Sequence, residues 1–351
     1  MLIMSELIHV NTVQNQPMKK TYYLFNPGRL SRQDNTLKFE PVNEIGQNQK
    51  PRFLPVEHVD ELYAFGALDA NSALYNFLGK QQIPVHFFDY YENYTGSFMP
   101  REALLSGKLL MTQARHHDNL PKRLELARLI LEGAVHNMIK NLKYYNRRGK
   151  DLQPIIETIE QYQKNFQSVK AIDELMGLEG NIRKAYYEAF ELIINDFSLS
   201  GRSMRPPLNE VNALISFGNM MCYSQCLRAI HQTQLNPVIP FLHAPGERRY
   251  SLSLDIAEIF KPILVDRVIF KVLNKKMLLT GDFENSLNRT MLKEKGKKTF
   301  VQAFETRLTE TIQHRTLNRS ISYKHLIKLE CYKLVKHILE IEPYKPLKIW
   351  W

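Results

Sequence analysis

The stretch FLHAPGERRYSLSLDIAEIF, residues 241–260, places an imidazole in a loop and, within sixteen positions, two carboxylates in the apolar run that follows. His243 lies in a loop that turns through Pro245 and Gly246. Asp255 and Glu258 follow at i and i+3, so on a helix they project from neighbouring positions of one face. Ile256, Ile259, Phe260, Ile263 and Leu264 form the apolar stripe of that helix. Asp255 falls at the stripe's edge near the N-terminus, where the helix dipole favours an anion. Taken alone, this stretch also reads as a solvated acidic first turn beside a loop histidine with no role. A third element changes the balance. In MGLEGNIRKAYYEAF, Glu179 is flanked by Gly177 and Gly180, with Arg183 one turn further on. Each glycine inside a helix costs about 1 kcal/mol relative to alanine, which makes sense where a backbone or a ligand comes close. The bland alternative is a surface Glu179–Arg183 pair.

Glu179, His243 and Asp255 together offer two carboxylates and one imidazole, a first shell for a divalent cation with open positions. Carboxylate oxygens suit Mg²⁺ and Mn²⁺, and the imidazole tilts the set toward Mn²⁺. Such a cation polarises a phosphate and activates an attacking oxygen. Basic residues to contact phosphate are at hand: Arg147, Arg148 and Lys150, then Arg248 and Arg249 between the candidate ligands, then KEKGKK at 293–298, which otherwise reads as a solvated loop. The whole chain supports an anionic partner. It has 47 Lys and Arg against 36 Asp and Glu, a formal net charge of +11, and a pI near 9.3. There is no H-E-x-x-H and no glycine-rich phosphate-cradling loop, so a small-substrate metallohydrolase or a P-loop enzyme is not indicated.

The elements that must hold these residues fall into two regions, as 351 residues suggest. TYYLFNP, TLKFEPV and ELYAFG are short strand-like runs separated by turn residues; NSALYNFLGKQQ reads as a short helix capped by Asn71 or Ser72, and IPVHFFDY as a strand after it. This predicts a β-rich domain over 18–96, with NYTGSFMP leading into a linker over 97–108. From there the period becomes helical: KRLELARLILEGAVHNMIKNL, IDELMGLEGNIRKAYYEAFELIIND with Asp173 as N-cap, the all-round apolar VNALISFGNMMCYSQCLRAI, and SLDIAEIFKPILVDRVIFKVL bent at Pro262. The fold class is α+β, a small N-terminal β-rich domain followed by a larger all-α catalytic domain over 109–340 and a tail over 341–351. Residues 1–17 read as a disordered extension, with Met18 an alternative start. Cys222, Cys226 and Cys331 are too few for a disulfide framework and indicate a reducing, cytoplasmic setting. The i,i+4 pair Cys222 and Cys226 reads as two small buried hydrophobes. No stretch is long and apolar enough to span a membrane.

Several blocks carry a more specific signal: YLFNPGRLSRQDNTLKFE, the strand around IPVHFF, GLEGNIRKAYYEAF, RPPLNEVNALISFGNMMCY and FLHAPGERRYSLSLDIAEIFKPILVDR. From about Lys19 onward the chain resembles the CRISPR-associated integrase family of the adaptation stage, the Cas-one family. The resemblance implies Glu179, His243 and Asp255 as catalytic metal ligands, with Glu258 at a neighbouring, secondary acidic position. It implies Mg²⁺ or Mn²⁺, and a prokaryotic cytoplasmic homodimer formed through the β-rich domain. It also implies a small ferredoxin-like partner in a heterohexamer-type complex, acting on double-stranded and branched DNA. The implied reaction is attack of a spacer 3′-hydroxyl on a repeat phosphodiester, with nuclease activity in isolation. Arg183, Arg248 and Arg249 are candidate DNA contacts. A non-catalytic DNA-binding scaffold of the same fold and a branched-DNA repair nuclease are the alternatives.

Overall fold

The computed structural model describes residues 19–43, 46–100, 106–204, 206–247, 249–286, 289–314 and 317–350. The expected extension, residues 1–17, lies outside them, as does Arg248. The chain divides into two units, Met1–Arg101 and Glu102–Trp351.

The first unit is built from two four-stranded sheets. Its elements are β1 (Lys20–Leu24), β2 (Gly28–Gln33), β3 (Thr36–Pro41), β4 (Arg52–Pro55), β5 (Val59–Ala64), β6 (Leu68–Asp69), α1 (Ser72–Lys80), β7 (Val85–Phe88) and β8 (Tyr94–Phe98). One sheet runs β1-β5-β7-β8, parallel except for the last pair; the other runs β4-β3-β2-β6. β2 and β3 form a hairpin whose loop is Asp34-Asn35, and Asp34 takes φ +54°, a left-handed value that Asp tolerates better than most residues. Gly28 is required where β2 meets β3, since a Cβ there would lie 2.5 Å from the Glu40 carbonyl oxygen. Leu30, Leu37, Phe39, Val59, Leu62, Leu78 and Val85 fill the core. Asn71 caps α1 by accepting from the Leu74 amide at 3.0 Å, as its sequence signature predicts. NYTGSFMP differs from expectation. It is not an exit segment: Tyr94–Phe98 is the edge strand β8, which pairs with β7. The strand therefore extends into the expected linker from one side, and the first helix of the second unit begins inside it at Gly107.

The second unit is mostly helical: α2 (Gly107–Asp118), α3 (Leu120–Asn146), α4 (Gln153–Lys164), α5 (Ile172–Ile193), α6 (Glu210–His231), α7 (Ser251–Lys261) and α8 (Arg267–Asn274), then β9 (Phe283–Ser286), β10 (Arg289–Leu292), α9 (Glu294–Thr309), β11 (Thr311–Gln313), β12 (Ser320–Ser322) and α10 (Tyr323–Ile338). Two small antiparallel hairpins, β9 with β10 and β11 with β12, interrupt the helices. α6 is the central helix. It is buried over most of its surface from Val211 to Ile230, with one half-buried stripe at Ser216, Asn219, Met220 and Tyr223. Gly218 lets it approach its neighbours closely: a Cβ there would lie 2.5 Å from Val265 Cγ1. The three cysteines are free and buried. KEKGKK is not a loop but the start of α9, where Lys298 pairs with Glu294. The expected tail is packed onto the unit. Tyr344, Leu347 and Ile349 are buried, Glu330 accepts from the Tyr344 hydroxyl and the Leu347 amide, and Asn137 accepts from the Ile349 amide at 2.9 Å. No helix among the described residues is long and apolar enough to cross a membrane.

Candidate active site

α5 presents an apolar face of Leu175, Ile182, Ala185, Tyr186, Ala189, Phe190 and Ile193 to the core. Asp173 is not its cap. The N-cap is Ala171, and Asp173 and Glu174 sit in the first turn, where the dipole favours them. Glu179 lies at the margin of the buried face. Its Oε1 accepts from Arg183 Nε at 3.0 Å, one turn away. No atom lies within 4 Å of where a Cβ would stand at Gly177 or Gly180. Close packing of another backbone is therefore not the reason for these glycines, and the flanks of Glu179 are left open.

α7 meets α5 through a charged cluster. Its two acids are nothing like a solvated first turn: Asp255 is 0% exposed and Glu258 4%. Glu258 accepts from Arg183 Nη2 and, at 2.5 Å, from Lys261 Nζ. One guanidinium thus joins Glu179 of α5 to Glu258 of α7. Burial alone would raise the Glu258 pKa, but the charges of Arg183 and Lys261 outweigh it and hold the carboxyl at about 2. For Arg183, burial works to lower the pKa; Glu258 and then Glu179 overcome this and push it above its ordinary value. Arg183 is committed to these two acids and is largely buried, so it does not stand as a surface phosphate contact.

Asp255 does different work. Its Oδ2 accepts from the Phe241 amide at 2.6 Å and the Leu242 amide at 3.0 Å; its Oδ1 accepts from the His243 amide at 3.0 Å and faces His243 Nδ1 at 2.8 Å. Four hydrogen bonds fill the accepting capacity of a carboxylate. Asp255 therefore fixes the loop and, by accepting a hydrogen bond from Nδ1–H, leaves Nε2 as the free basic nitrogen of a neutral His243. Burial draws the His243 pKa down, but its hydrogen bond to Asp255 and the charges of Asp255 and Glu258 leave it raised overall. The loop has further supports that its sequence did not disclose. Arg123 of α3 donates to the carbonyls of Phe241 at 2.9 Å and His243 at 3.2 Å, and Phe241 and Leu242 are buried anchors. Arg249 donates to Ser251 Oγ and to the Ala244 carbonyl, so it holds the loop's shape.

Pro262, which cannot donate to the ladder, ends α7 in a π-turn over Pro262–Asp266 before α8 resumes. The π-turn brings Asp266 under α5, where it accepts from the Tyr186 hydroxyl at 3.0 Å. Burial is the largest influence on this carboxyl and raises it to about 7, against the opposing charges of Arg183 and Lys261.

As arranged, no group of three His, Cys, Asp or Glu side chains among the described residues is set to hold a metal ion. The donor chemistry nevertheless fits one. Glu179 and Glu258 share a single counter-cation, beside an imidazole whose other nitrogen is fixed by a buried carboxylate.

Residues 22–306 match the family model described as CRISPR associated protein Cas1. The chain belongs to the Cas1 family. Two relatives make the membership concrete. The CRISPR-associated endonuclease Cas1 of Fusobacterium nucleatum is 46% identical over 95% of this chain and 98% of its own length. A CRISPR-associated endonuclease Cas1 of Moorella thermoacetica is 48% identical over 95% of this chain and 100% of its own. Among solved Cas1 structures, one from Thermotoga maritima superposes with a TM-score of 0.82 at 37% identity, covering 93% of this chain and 99% of that one. A casposase bound to integration product, 19% identical, covers 94% of each chain at the same TM-score and so shares the fold.

Proposed function

We propose that this Cas1 chain is a divalent-metal-dependent DNA endonuclease and strand-transfer enzyme of CRISPR adaptation. The observation that carries this reading is the convergence of Glu179 and Glu258, from two helices, on one guanidinium beside the Asp255-oriented His243. Glu179, Glu258 and His243 Nε2 would hold Mg²⁺ or Mn²⁺, and Arg183 would yield the space between the carboxylates. When bound, the metal supplies Lewis-acid stabilisation of charge on a phosphodiester. Asp255 keeps the imidazole in the tautomer that presents Nε2, a positioning role rather than the ligand role first expected of it. Glu258 moves from a secondary acid to a ligand. Lys261 keeps Glu258 ionised, and Arg123 and Arg249 hold the loop that carries His243.

The relatives' names support the nuclease reading. Two structural neighbours contain Cas1 together with Cas2, and another holds an integration product. We accordingly propose DNA as substrate, a small Cas2-type partner and a homodimer formed through the β-rich unit. The test is a branched DNA that mimics a half-inserted spacer, incubated with Mn²⁺ or Mg²⁺. Strand transfer or resolution should require metal and fall to background in Glu179→Ala, His243→Ala and Glu258→Ala. Activity that survives all three would place the reaction elsewhere. Tight DNA binding without activity in the wild type would favour a scaffold.

A further inference from the structure

A second site lies on the far side of α3's C-terminal end, in a cavity of about 350 Å³ between α3, α8 and α9. That volume is within the range of small-ligand pockets. Arg148, Arg267, Lys271, Lys275 and Arg307 line it, and the single carboxylate among its lining residues is Glu310. Glu310 pairs with Arg307. Arg148, in the turn after α3, and Lys271 and Lys275 have no ion-pair partner among the described residues, and no acid other than Glu310 lines the cavity.

The site is built rather than incidental. Arg267 is anchored through Nε to Asn141 Oδ1 at 2.8 Å, and Asn141 is itself fixed by the Tyr186 hydroxyl and the Pro262 carbonyl. Arg307 is anchored through Nε to the Ile263 carbonyl at 3.0 Å, and its Nη2 is buried with no hydrogen-bond partner. A buried donor without an acceptor is costly unless a ligand supplies one. Tyr144 carries two guanidiniums against its ring, Arg148 at 4.4 Å and Arg267 at 5.0 Å from the centroid. Arg307 lies 4.1 Å over Tyr323. The aromatic faces hold these planar cations in place, and because Arg307 already gives Nη1 to Glu310, its part in the site is its charge. Burial, and then the nearby charge of Arg307, lower the Arg267 pKa.

We propose that this pocket binds a phosphate ester through Arg148, Arg267, Lys271, Lys275 and Arg307. Planar guanidiniums match phosphate oxygens two at a time, and the flanking lysines add point charges. The phosphate has two possible sources, a backbone group of a DNA strand or a free nucleotide. The site goes beyond the metal centre and stands whether or not that reading holds.

The test uses the full chain and the double variant Lys271→Ala/Lys275→Ala, two side chains on the surface of α8 and its C-cap. Melting is followed with deoxyadenosine monophosphate, and anisotropy of a labelled single-stranded oligonucleotide is followed across a salt series. If the source is a DNA strand, the variant binds the oligonucleotide more weakly and its log–log salt slope is shallower by roughly 1.4, two contacts at about 0.7 each. If the source is a nucleotide, the monophosphate raises the wild-type melting temperature but not the variant's, and oligonucleotide binding is unchanged. Identical behaviour of both proteins in both assays, including no response in either, overturns the proposal. Unaltered stabilisation by Mn²⁺ in the variant keeps the result separate from the Glu179, Glu258 and His243 site.

Discussion

The helical unit holds two charged regions that solve opposite problems. Around Glu179 and Glu258 the cations Arg183 and Lys261 are matched by carboxylates, and all are largely withdrawn from water. Around Tyr144 five cations face one acid. The first region is electrostatically complete in itself, so an added cation has to displace something. The second is incomplete, so an added anion has only to arrive. A charged cluster is thus read by its balance and not by its size: a balanced one implies exchange, an unbalanced one implies recruitment.

The largest expected effect tests the division of labour inside the balanced region. Asp255→Ala removes the acceptor of three backbone amides and an imidazole at a fully buried position. Unsatisfied buried donors cost about 1–3 kcal/mol each, so with four donors left the variant should lose at least about 4 kcal/mol, read from urea unfolding. Asp255→Asn, which keeps one oxygen, should lose less. A variant that unfolds at the wild-type midpoint yet no longer binds Mn²⁺ would return Asp255 to the role of ligand.

Arg183→Gln tests exchange directly. Breaking a buried ion pair costs roughly 3–5 kcal/mol because a charge is left uncompensated, and here Glu179 and Glu258 would lose their common partner. The metal-free variant should be less stable than wild type. Mn²⁺ should bind it more tightly by calorimetry and restore more of its melting temperature, since nothing need be displaced. Weaker Mn²⁺ binding would mean that Arg183 supports the site rather than competing for it.

Much of this was legible in the sequence, though unevenly. The β-rich and helical halves follow from the change of period near residue 100, because periodicity reports which face of an element is buried. Glu179, His243, Asp255 and Glu258 were legible as a group, since their types and the surrounding blocks are specific. Their separate roles were not. Asp255 and Glu258 differ by one helical turn, and only the fold decides that one meets the returning loop and the other meets α5. Arg123 was invisible for a related reason: it lies 120 residues from His243, whose carbonyl it holds. The phosphate pocket likewise draws on α3, α8 and α9, and no local spacing links Tyr144 to Arg307. NYTGSFMP misled because Gly96 and Pro100 are turn signals, yet an edge strand tolerates glycine where a central one would not.

Asp266 gives an intermediate effect. Its pKa of about 7 in the fold lies above the ordinary value of 3.8. The folded state therefore binds the proton more tightly than the unfolded one, and stability falls as pH rises between those two values. Across pH 5 to 7 the loss should be on the order of 2 kcal/mol, at up to 1.36 kcal/mol per unit. Arg183, Lys261 and Glu258 face this group electrostatically, and Tyr186 donates to it. Asp266→Asn should flatten the pH dependence of the melting temperature over that window. An unchanged slope would assign the titration to another group.

The smallest expected effect sharpens the contrast between paired and unpaired cations. Lys143 is one residue from Tyr144, but it pairs with Glu160 at 2.8 Å on the exposed side of α3 and α4. An exposed pair of this kind contributes about 0–1 kcal/mol, so Lys143→Ala should cost less than about 1 kcal/mol in urea unfolding. Being already matched, it should leave the salt slope of oligonucleotide binding as it is in wild type. If Lys143→Ala lowered that slope as much as the Lys271→Ala/Lys275→Ala pair, binding would follow the diffuse field of a chain with net charge +11 rather than the geometry of one pocket. A slope that distinguishes Lys143 from Lys271 and Lys275 would instead show that the missing partner, not the mere presence of a cation, makes the site.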